Sequence, residues 1–584
     1  MTKKFIKLPL FVTDVTIKIG GQAGQGMQLI SYTLGRLFTR GGYYVFTSQD
    51  IRSRIRGGHN FSQIRVRDEP VYCNSDRANV LVALDEETVN IHQNQMVENG
   101  VIIYDKEKGK IEASGISFFP VPLEKLAKDY GKDKIMINSV ALGSLMHLTG
   151  YSVDLLYSVL KEEFAAKGND IVNRNVASAR AGYDYAKNQF RRECPCKIAL
   201  KSKGPKRILI SGSEVIGLGA VYSGVKFYAG YPMSPSTPIM EYIASKEKDY
   251  NIVVEQAEDE ISAINMIIGA AFTGVRAMTA TSGGGFALMA EGLSLAGMTE
   301  TPVVIALSQR PGPATGFPTR TEQGDLLFAI HAGHGEFSRI VLAPGTPEQA
   351  FLLVNKAFNL AEKYQVPVII LTDQHFNDSF WSVDEFDLAN TDIERYVANN
   401  KWLNQPAYTY QKYKLTENGI SPRIYPGLRN QVIYADSDEH TEEGHITESA
   451  EIRNKMMLKR LKRLDAIRNE FNPCHTYPAD NQDIMLVCFG STFGPVKEAV
   501  DILREKKFNI GMLHLSEVYP FPRESIMAKL SFSQKIFTVE HNATGQLARL
   551  LTGETRIKIT DKILKFDGRP FSAPELVNRV EITI

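Results

Sequence analysis

Glu258, Asp259 and Glu260 open the stretch VVEQAEDEISAINMIIGAAFTG, where an acidic triplet runs into a nearly continuous apolar helix. Carboxylates in a first helical turn complement the positive end of the helix dipole, and that accounts for Glu258 and Asp259. Glu260 is different, because at i+4 and i+7 it shares a face with Ile264 and Ile267. A carboxyl group facing a core has a partner or a raised pKa, which makes Glu260 a candidate acid. Three further segments of the same region could carry chemistry. In YAGYPMSPST (228–237) and the proline that follows, Pro232, Pro235 and Pro238 remove three backbone donors and fix three φ angles, so neither strand nor helix continues through it. In TATSGGGFALM, Gly283 to Gly285 follow a strand and allow close approach of a flat ligand or of another subunit. In SQRPGPATGFPTRTEQGD, Arg310 stands directly after the strand VVIALSQ. All four segments fall at C-terminal ends of strands in one α/β region, where open sheets hold their ligands.

Nearer the N-terminus, IGGQAGQG places Gly20 to Gly26 between a strand and a helix. The spacing matches neither G-x-G-x-x-G nor a Walker loop with its lysine, so a structural turn and an anion site both remain open. Downstream, Arg52, Arg54, Arg56 and His59 surround Gly57-Gly58. A solvated charged loop is the default reading; the functional alternative is a cradle for a polyphosphate ligand, for which the planar arginine fork is suited.

The elements that must position these residues follow from hydrophobic period. VTIKIGG, YYVFTSQ, FSQIRVR, NVLVALD and GVIIYD read as strands, and MQLISYTLGRLFTR as a helix with Met27, Ile30, Leu34, Leu37 and Phe38 on one face. We expect a first α/β domain over 1–192 and a basic linker over 193–206. A second α/β domain follows over 207–385, then a polar connecting region over 386–480 with an amphipathic helix, and a third α/β domain over 481–584. The fold class is multidomain α/β with open, mostly parallel sheets.

At 584 residues the chain exceeds a single core. Lysine plus arginine (67) against aspartate plus glutamate (66) gives no case for nucleic-acid or bulk membrane binding. No run of eighteen apolar residues suggests a membrane span, and the N-terminal stretch lacks a signal-peptide core. Five scattered cysteines, with no C-x-x-C, form neither a disulfide framework nor a cluster site, so a cytoplasmic protein without its own iron–sulfur cluster or metal is expected.

In order and spacing, GQAGQG, RGGHNFSQIRV, YAGYPMSPST, EDE…NMIIGAA, TATSGGGFALM and QRPGPATGFPT resemble 2-oxoacid:ferredoxin oxidoreductases, in particular the large subunit in which a γ-type domain precedes the α-type region. The resemblance extends to VEHNATGQLARLL, Val539 to Leu551. It implies a γ-type domain, a pyrimidine-binding domain for thiamine diphosphate and a transketolase C-terminal-like domain. It also implies a separate, smaller β subunit that binds the diphosphate, Mg2+ and a [4Fe–4S] cluster. Coenzyme A as co-substrate, ferredoxin as acceptor and a heterotetramer of two γα–β units complete the expectation.

Residue by residue, the resemblance implies that Tyr231, Pro232 and Ser234 line the substrate carbonyl, with Ser234 where threonine is usual and Met233 where isoleucine is common. It implies that Glu260 hydrogen-bonds the aminopyrimidine ring nitrogen, with Glu258 as a second carboxylate and Ser282 and Gly283 beside the cofactor. TSGGG departs from the commoner TSGPG. Arg310 corresponds to the arginine that grips the substrate carboxylate, Thr319 to a second residue near the substrate, and Gly24 and Arg56 to groups closing over coenzyme A. Oxidative decarboxylation of a 2-oxoacid to an acyl-CoA follows, or its reverse. 2-Oxoglutarate is favoured, with Arg320 or His331 as candidate cations for its second carboxylate; pyruvate and branched or aryl 2-oxoacids stay open. The alternatives are a non-oxidative thiamine enzyme and a non-catalytic subunit that completes a partner's site. A nicotinamide dehydrogenase fits least, since the first glycine loop lacks the fingerprint.

Overall fold

The structure is a computed structural model; it describes residues 14–53, 57–108, 115–190, 196–201, 206–389, 391–398, 410–428, 431–472, 474–479 and 481–584. The chain divides into two units, Met1–Ile210 with Ser379–Glu385, and Ser211–Asp378 with Phe386–Ile584.

In the first unit, alternation along Asp14–Gln22 sends Val15, Ile17 and Ile19 into a core shared with the helix Met27–Arg40. That helix buries Met27, Ile30, Leu34, Leu37 and Phe38, the face its 3.6-residue period predicts. The sheet runs Ser117–Val121, Met96–Asp105, Ala78–Ala83, Asp14–Gln22, His59–Arg67, Tyr44–Asp50, Phe380–Val383, Ile208–Ser211. It is parallel from Ser117–Val121 to Asp14–Gln22 and antiparallel from there to Phe380–Val383. Residues 379–385 therefore belong to this unit, although in sequence they adjoin the second; Trp381 packs edge-on to Phe46 at 5.3 Å between ring centroids. Of the expected linker, residues 193–195 and 202–205 lie outside the described residues. Cys196 and Ile198 are buried in the first core, and the Ile198 N–H donates to Thr149 O at 2.9 Å.

The second unit holds two sheets. One runs Glu517–Tyr519, Ile340–Leu342, Val368–Asp373, Val304–Gln309, Arg276–Thr281, Val225–Gly230, Val253–Gln256, parallel throughout except at its first pair. Its central strands Arg276–Thr281, Val304–Gln309 and Val368–Asp373 are buried at every position, as a parallel sheet covered on both faces requires. The other sheet runs His475–Tyr477, Ile510–Leu515, Ile484–Phe489, Lys535–Glu540, Asp561–Leu564. A single apolar core joins them, with Phe489, Leu513 and Leu515 in one cluster with Leu293, Phe337 and Ile369.

The polar stretch 386–480 forms the helix Ala450–Arg468, but its inner face is not the apolar one. Met456, Lys459, Arg460, Arg463 and Ile467 are buried while Leu458 is 69% exposed. The physical reason lies in what this face meets. Glu300, fully buried, takes Lys459 on both oxygens at 2.8 Å and Arg463 as well. Glu362, also buried, pairs with Arg276, Arg395 and Arg423. Cations of this region also donate to carbonyls where helices end: Arg463 to Tyr364 O and Gln365 O after Pro347–Tyr364, and Lys412 to Thr299 O after Ala290–Met298. Arg395 reaches Gly274 O beyond Glu260–Phe272, and Arg276 reaches Ser223 O after Gly212–Tyr222. Four negative dipole ends thus receive positive charge. Among the described residues no helix is long and apolar enough to cross a membrane.

Candidate active site

The sequence-predicted residues of the second unit gather at the C-terminal ends of neighbouring parallel strands. Val225–Gly230 runs into the loop 231–236, in which Tyr231 and Ser234 are exposed, Pro232 is half-buried and Ser234–Pro235 is a cis peptide. Arg276–Thr281 runs into Ser282 and the three glycines, which begin the short helix Gly283–Leu288. Val304–Gln309 delivers Arg310. These ends are tied together by hydrogen bonds. Arg310 Nη1 donates to Ser234 O at 2.6 Å, the Ser282 hydroxyl donates to the sulfur of Met233, and Asn377 Nδ2 bridges Pro235 O at 3.3 Å and Ser308 Oγ at 2.6 Å.

Glu260 enters the same turn from the helix Glu260–Phe272. Asp259 is the N-cap, its Oδ1 accepting from the Ser262 N–H at 2.7 Å, so Glu260 is free of capping duty. It is 3% exposed, and its Oε1 has no hydrogen-bond partner. Burial raises its pKa, Asp259's charge adds to the rise, and a backbone hydrogen bond opposes it. The carboxyl lies against the turn so closely that a Cβ on Gly285 would come within 2.5 Å of Glu260 Oε1 and nearer still to Thr281 Oγ1. Glu258, just before the cap, is exposed.

Arg310 is followed by the loop 311–325, in which Thr319 and Arg320 are half-buried; the helix Leu326–His331 then ends at an exposed His331. The third α/β segment holds this loop. Thr321 N donates to Gly568 O at 3.2 Å, Gln323 N to His541 O at 2.6 Å, and Asn542 Nδ2 to Gln323 O at 3.2 Å. Val539 to Leu551, which carries part of the resemblance, therefore has a positional task. Two acids of the loop were not singled out from sequence. Glu322 is pushed up to about 7 by burial and by the charge of Asp325, and burial lifts Asp325 to about 6. In sequence, Asp325 before an apolar stretch reads as a helix cap, and nothing marks it further.

Gly24 lies in the first unit, exposed, with φ of 92° in the turn between strand and helix. It borders a cleft of about 700 Å³ lined by Leu29, Ile30, Leu142 and Phe164 and by Asn138 and Lys167. Arg56, with Arg54, lies outside the described residues.

The arrangement in the second unit joins a buried acid with an orphaned oxygen, a glycine turn with no room for a side chain, and a guanidinium on the next strand end. It suits a flat, nitrogen-bearing ring beside an anionic substrate. Residues 218–459 match the family described as pyruvate flavodoxin/ferredoxin oxidoreductase, thiamine-diphosphate binding. Residues 16–185 match pyruvate ferredoxin/flavodoxin oxidoreductase, and 482–575 match pyruvate:ferredoxin oxidoreductase core domain II. A 2-oxoacid:ferredoxin oxidoreductase subunit alpha from Sulfolobus sp is 33% identical, over 96% of this chain and 95% of that one. The 2-oxoglutarate oxidoreductase subunit KorA of Mycobacterium tuberculosis is 28% identical over 96% and 90%. Among solved structures, the 2-oxoglutarate:ferredoxin oxidoreductase from Magnetococcus marinus, with 2-oxoglutarate, coenzyme A and succinyl-CoA bound, superimposes with a TM-score of 0.91 at 31% identity. That match covers 98% of this chain and 100% of that one. The chain belongs to the 2-oxoacid:ferredoxin oxidoreductases, as the alpha-type subunit of a multi-subunit enzyme.

Proposed function

We propose that this chain binds the aminopyrimidine half of thiamine diphosphate and the 2-oxoacid, with 2-oxoglutarate as substrate, and that a smaller β subunit completes the site. The observation that carries the reading is Glu260: a buried carboxyl with an orphaned oxygen, packed on a glycine turn, one strand away from Arg310. Such an oxygen awaits a hydrogen-bond partner from a ligand. Glu260 holds a proton against the ring nitrogen, and its raised pKa keeps that proton available. Ser282 and Gly283 lie along the ring, and exposed Glu258 stands at the edge. Arg310, anchored on Ser234 O, offers its remaining N–H groups to the substrate carboxylate. Tyr231, Pro232, the Ser234 hydroxyl and Thr319 line the carbonyl side, and the hydrogen bonds among the strand ends hold them in place. When bound, thiamine diphosphate supplies the carbanion chemistry.

The overall reaction takes a 2-oxoacid and coenzyme A to the acyl-CoA and CO2, with the electrons leaving one at a time through a [4Fe–4S] cluster of the β subunit, which also holds Mg2+, to ferredoxin. We assign coenzyme A to the first unit, with Gly24 and Arg56 as its contacts; the cleft that Gly24 borders is of ligand size. The relatives' names and the superposition on a 2-oxoglutarate enzyme support the choice of substrate. A dimer of γα–β units in the cytoplasm completes the proposal.

The test is an anaerobic assay of the native complex, following viologen reduction with 2-oxoglutarate or pyruvate, with and without coenzyme A. Reduction needing both 2-oxoglutarate and coenzyme A is expected, and Glu260→Gln should abolish it. Faster turnover of pyruvate would overturn the substrate. Turnover without any electron acceptor would point instead to a non-oxidative thiamine enzyme.

A further inference from the structure

Asp325 stands at the N-cap of the helix Leu326–His331, yet its side chain caps nothing. An aspartate there ordinarily accepts from the second or third N–H of its own helix. Here Gln546 does that work, its Oε1 accepting from Leu327 N at 2.9 Å while its Nε2 donates to Gly324 O. Asp325's backbone is pinned from the other side, its N–H donating to Gln309 Oε1 at 2.9 Å, and Gln309 is held by Thr372 O. Two glutamines thus fix the residue and leave its carboxyl unspent. The carboxyl lies on the glycine turn, where a Cβ at Gly283 would collide with its Cγ and Oδ1 at 2.9 Å and with Oδ2 closer still. Among the described residues it has no hydrogen-bond partner, and no cation offsets the effect of burial on it. Glu322 from the same loop adds negative charge nearby.

Glu260 meets the turn at Gly285 and Asp325 meets it at Gly283, while a Cβ at Gly284 between them would touch nothing. Glu260, buried with an orphaned oxygen, and Asp325, half-buried and without a protein partner among the described residues, leave hydrogen-bonding capacity on one turn for a ligand to meet.

We propose that Asp325 is a second cofactor-binding carboxyl of this site, taking an N–H donor of the aminopyrimidine ring held on Ser282–Gly285. The inference rests on the assignment of thiamine diphosphate to this turn. Its hydrogen-bonding task is separate from that of Glu260: one carboxyl holds the ring at each end of the glycine triplet.

The experiment uses the intact complex, stripped of cofactor, for the wild type and for Asp325→Ala, Asp325→Asn and Glu260→Gln. Thiamine diphosphate is titrated by calorimetry in the presence of Mg2+, and thermal unfolding is recorded before and after. Asp325→Ala should weaken cofactor binding about tenfold or more and leave the cofactor-free unfolding midpoint near the wild-type value. Asp325→Asn, which keeps an acceptor oxygen, should recover part of the loss. Cofactor affinity within about twofold of wild type in Asp325→Ala would overturn the proposal, and so would a lowered cofactor-free midpoint with unchanged affinity, since that marks a purely structural residue. If Asp325→Ala does not assemble, Asp325→Asn decides by the same affinity criterion. Should the wild-type complex fail to bind thiamine diphosphate, or Glu260→Gln turn over normally, the reading of the whole site falls, and the Asp325 variants then have no cofactor effect to show.

Discussion

Glu300→Gln should destabilise the second unit by an amount the structure allows to be worked out. Glu300, Lys459 and Arg463 have side chains 0%, 1% and 2% exposed. Removing one partner of such a buried cluster costs about 3–5 kcal/mol, because a charge is left without compensation. The two cations share that loss unequally. Arg463 keeps three carbonyl partners, Gly419 O, Tyr364 O and Gln365 O. Among the described residues, Lys459 has its hydrogen bonds only to Glu300, at 2.8 Å to each oxygen. Even with Glu300 present, burial lowers the Lys459 amine to about 8. In the variant it therefore sheds its proton near neutral pH, which caps the loss toward the lower figure, about 3 kcal/mol. In a unit this large that shifts the unfolding midpoint by roughly 4 °C. The assay is thermal and urea unfolding of the purified complex by far-ultraviolet circular dichroism. The double variant Glu300→Gln with Lys459→Met should regain at least half of the loss, since it removes the orphaned amine. A single variant within about 1 kcal/mol of wild type, or a double variant no better than the single, would refute the account of a buried charge cluster.

Two further outcomes follow from the same coordinates. Arg310→Ala should raise the KM for the 2-oxoacid by roughly tenfold or more with a smaller effect on kcat, as expected on losing a charge-assisted contact; an unchanged KM would remove Arg310 from the substrate. Lys412 is driven down to about 7 by burial, against the attraction of Glu300. Its folded pKa lies below its unfolded one, so between about pH 7 and pH 10 the unfolded chain binds more protons and stability rises with pH. Lys412→Met should flatten that rise in urea unfolding across this range, and an unaltered or inverted slope would contradict the assignment.

The α/β class, the succession of strands along the chain and the helix Met27–Arg40 are legible because period-2 and period-3.6 patterns report directly which face is buried. Glu260 was legible for the same reason: its spacing from Ile264 and Ile267 put it on the core face, and it is buried. Pairing across distance was not. Strand Phe380–Val383 returns to the first unit's sheet by hydrogen bonds to Tyr44–Asp50, and no local pattern encodes which sheet a short strand will join. The helix Ala450–Arg468 has leucines and cations at similar spacings, so its sequence does not say which stripe faces inward. That depends on Glu300 and on helix ends far away in the chain. Asp325 was hidden because its cap position is a sufficient local explanation, and only Gln546, more than two hundred residues later, relieves it of that duty.

The paired cations and the candidate site lie at opposite ends of the helix Glu260–Phe272. Glu260–Phe272 starts at Glu260 against the glycine turn, and the carbonyl of Gly274 just beyond its far end takes Arg395. A buried carboxyl with an unmet hydrogen bond, such as Glu260, opposes folding, since it is withdrawn from water without a full set of partners. A site that keeps one must be supported elsewhere in the same cooperative unit. The polar stretch 386–480 supplies that support: its cations sit on helix C-termini and on Glu300 and Glu362, where they stabilise the end of the domain away from Glu260. A connecting region that looks too polar to pack is then the part of the chain that allows the strand ends to remain open, acidic and ready for a ligand.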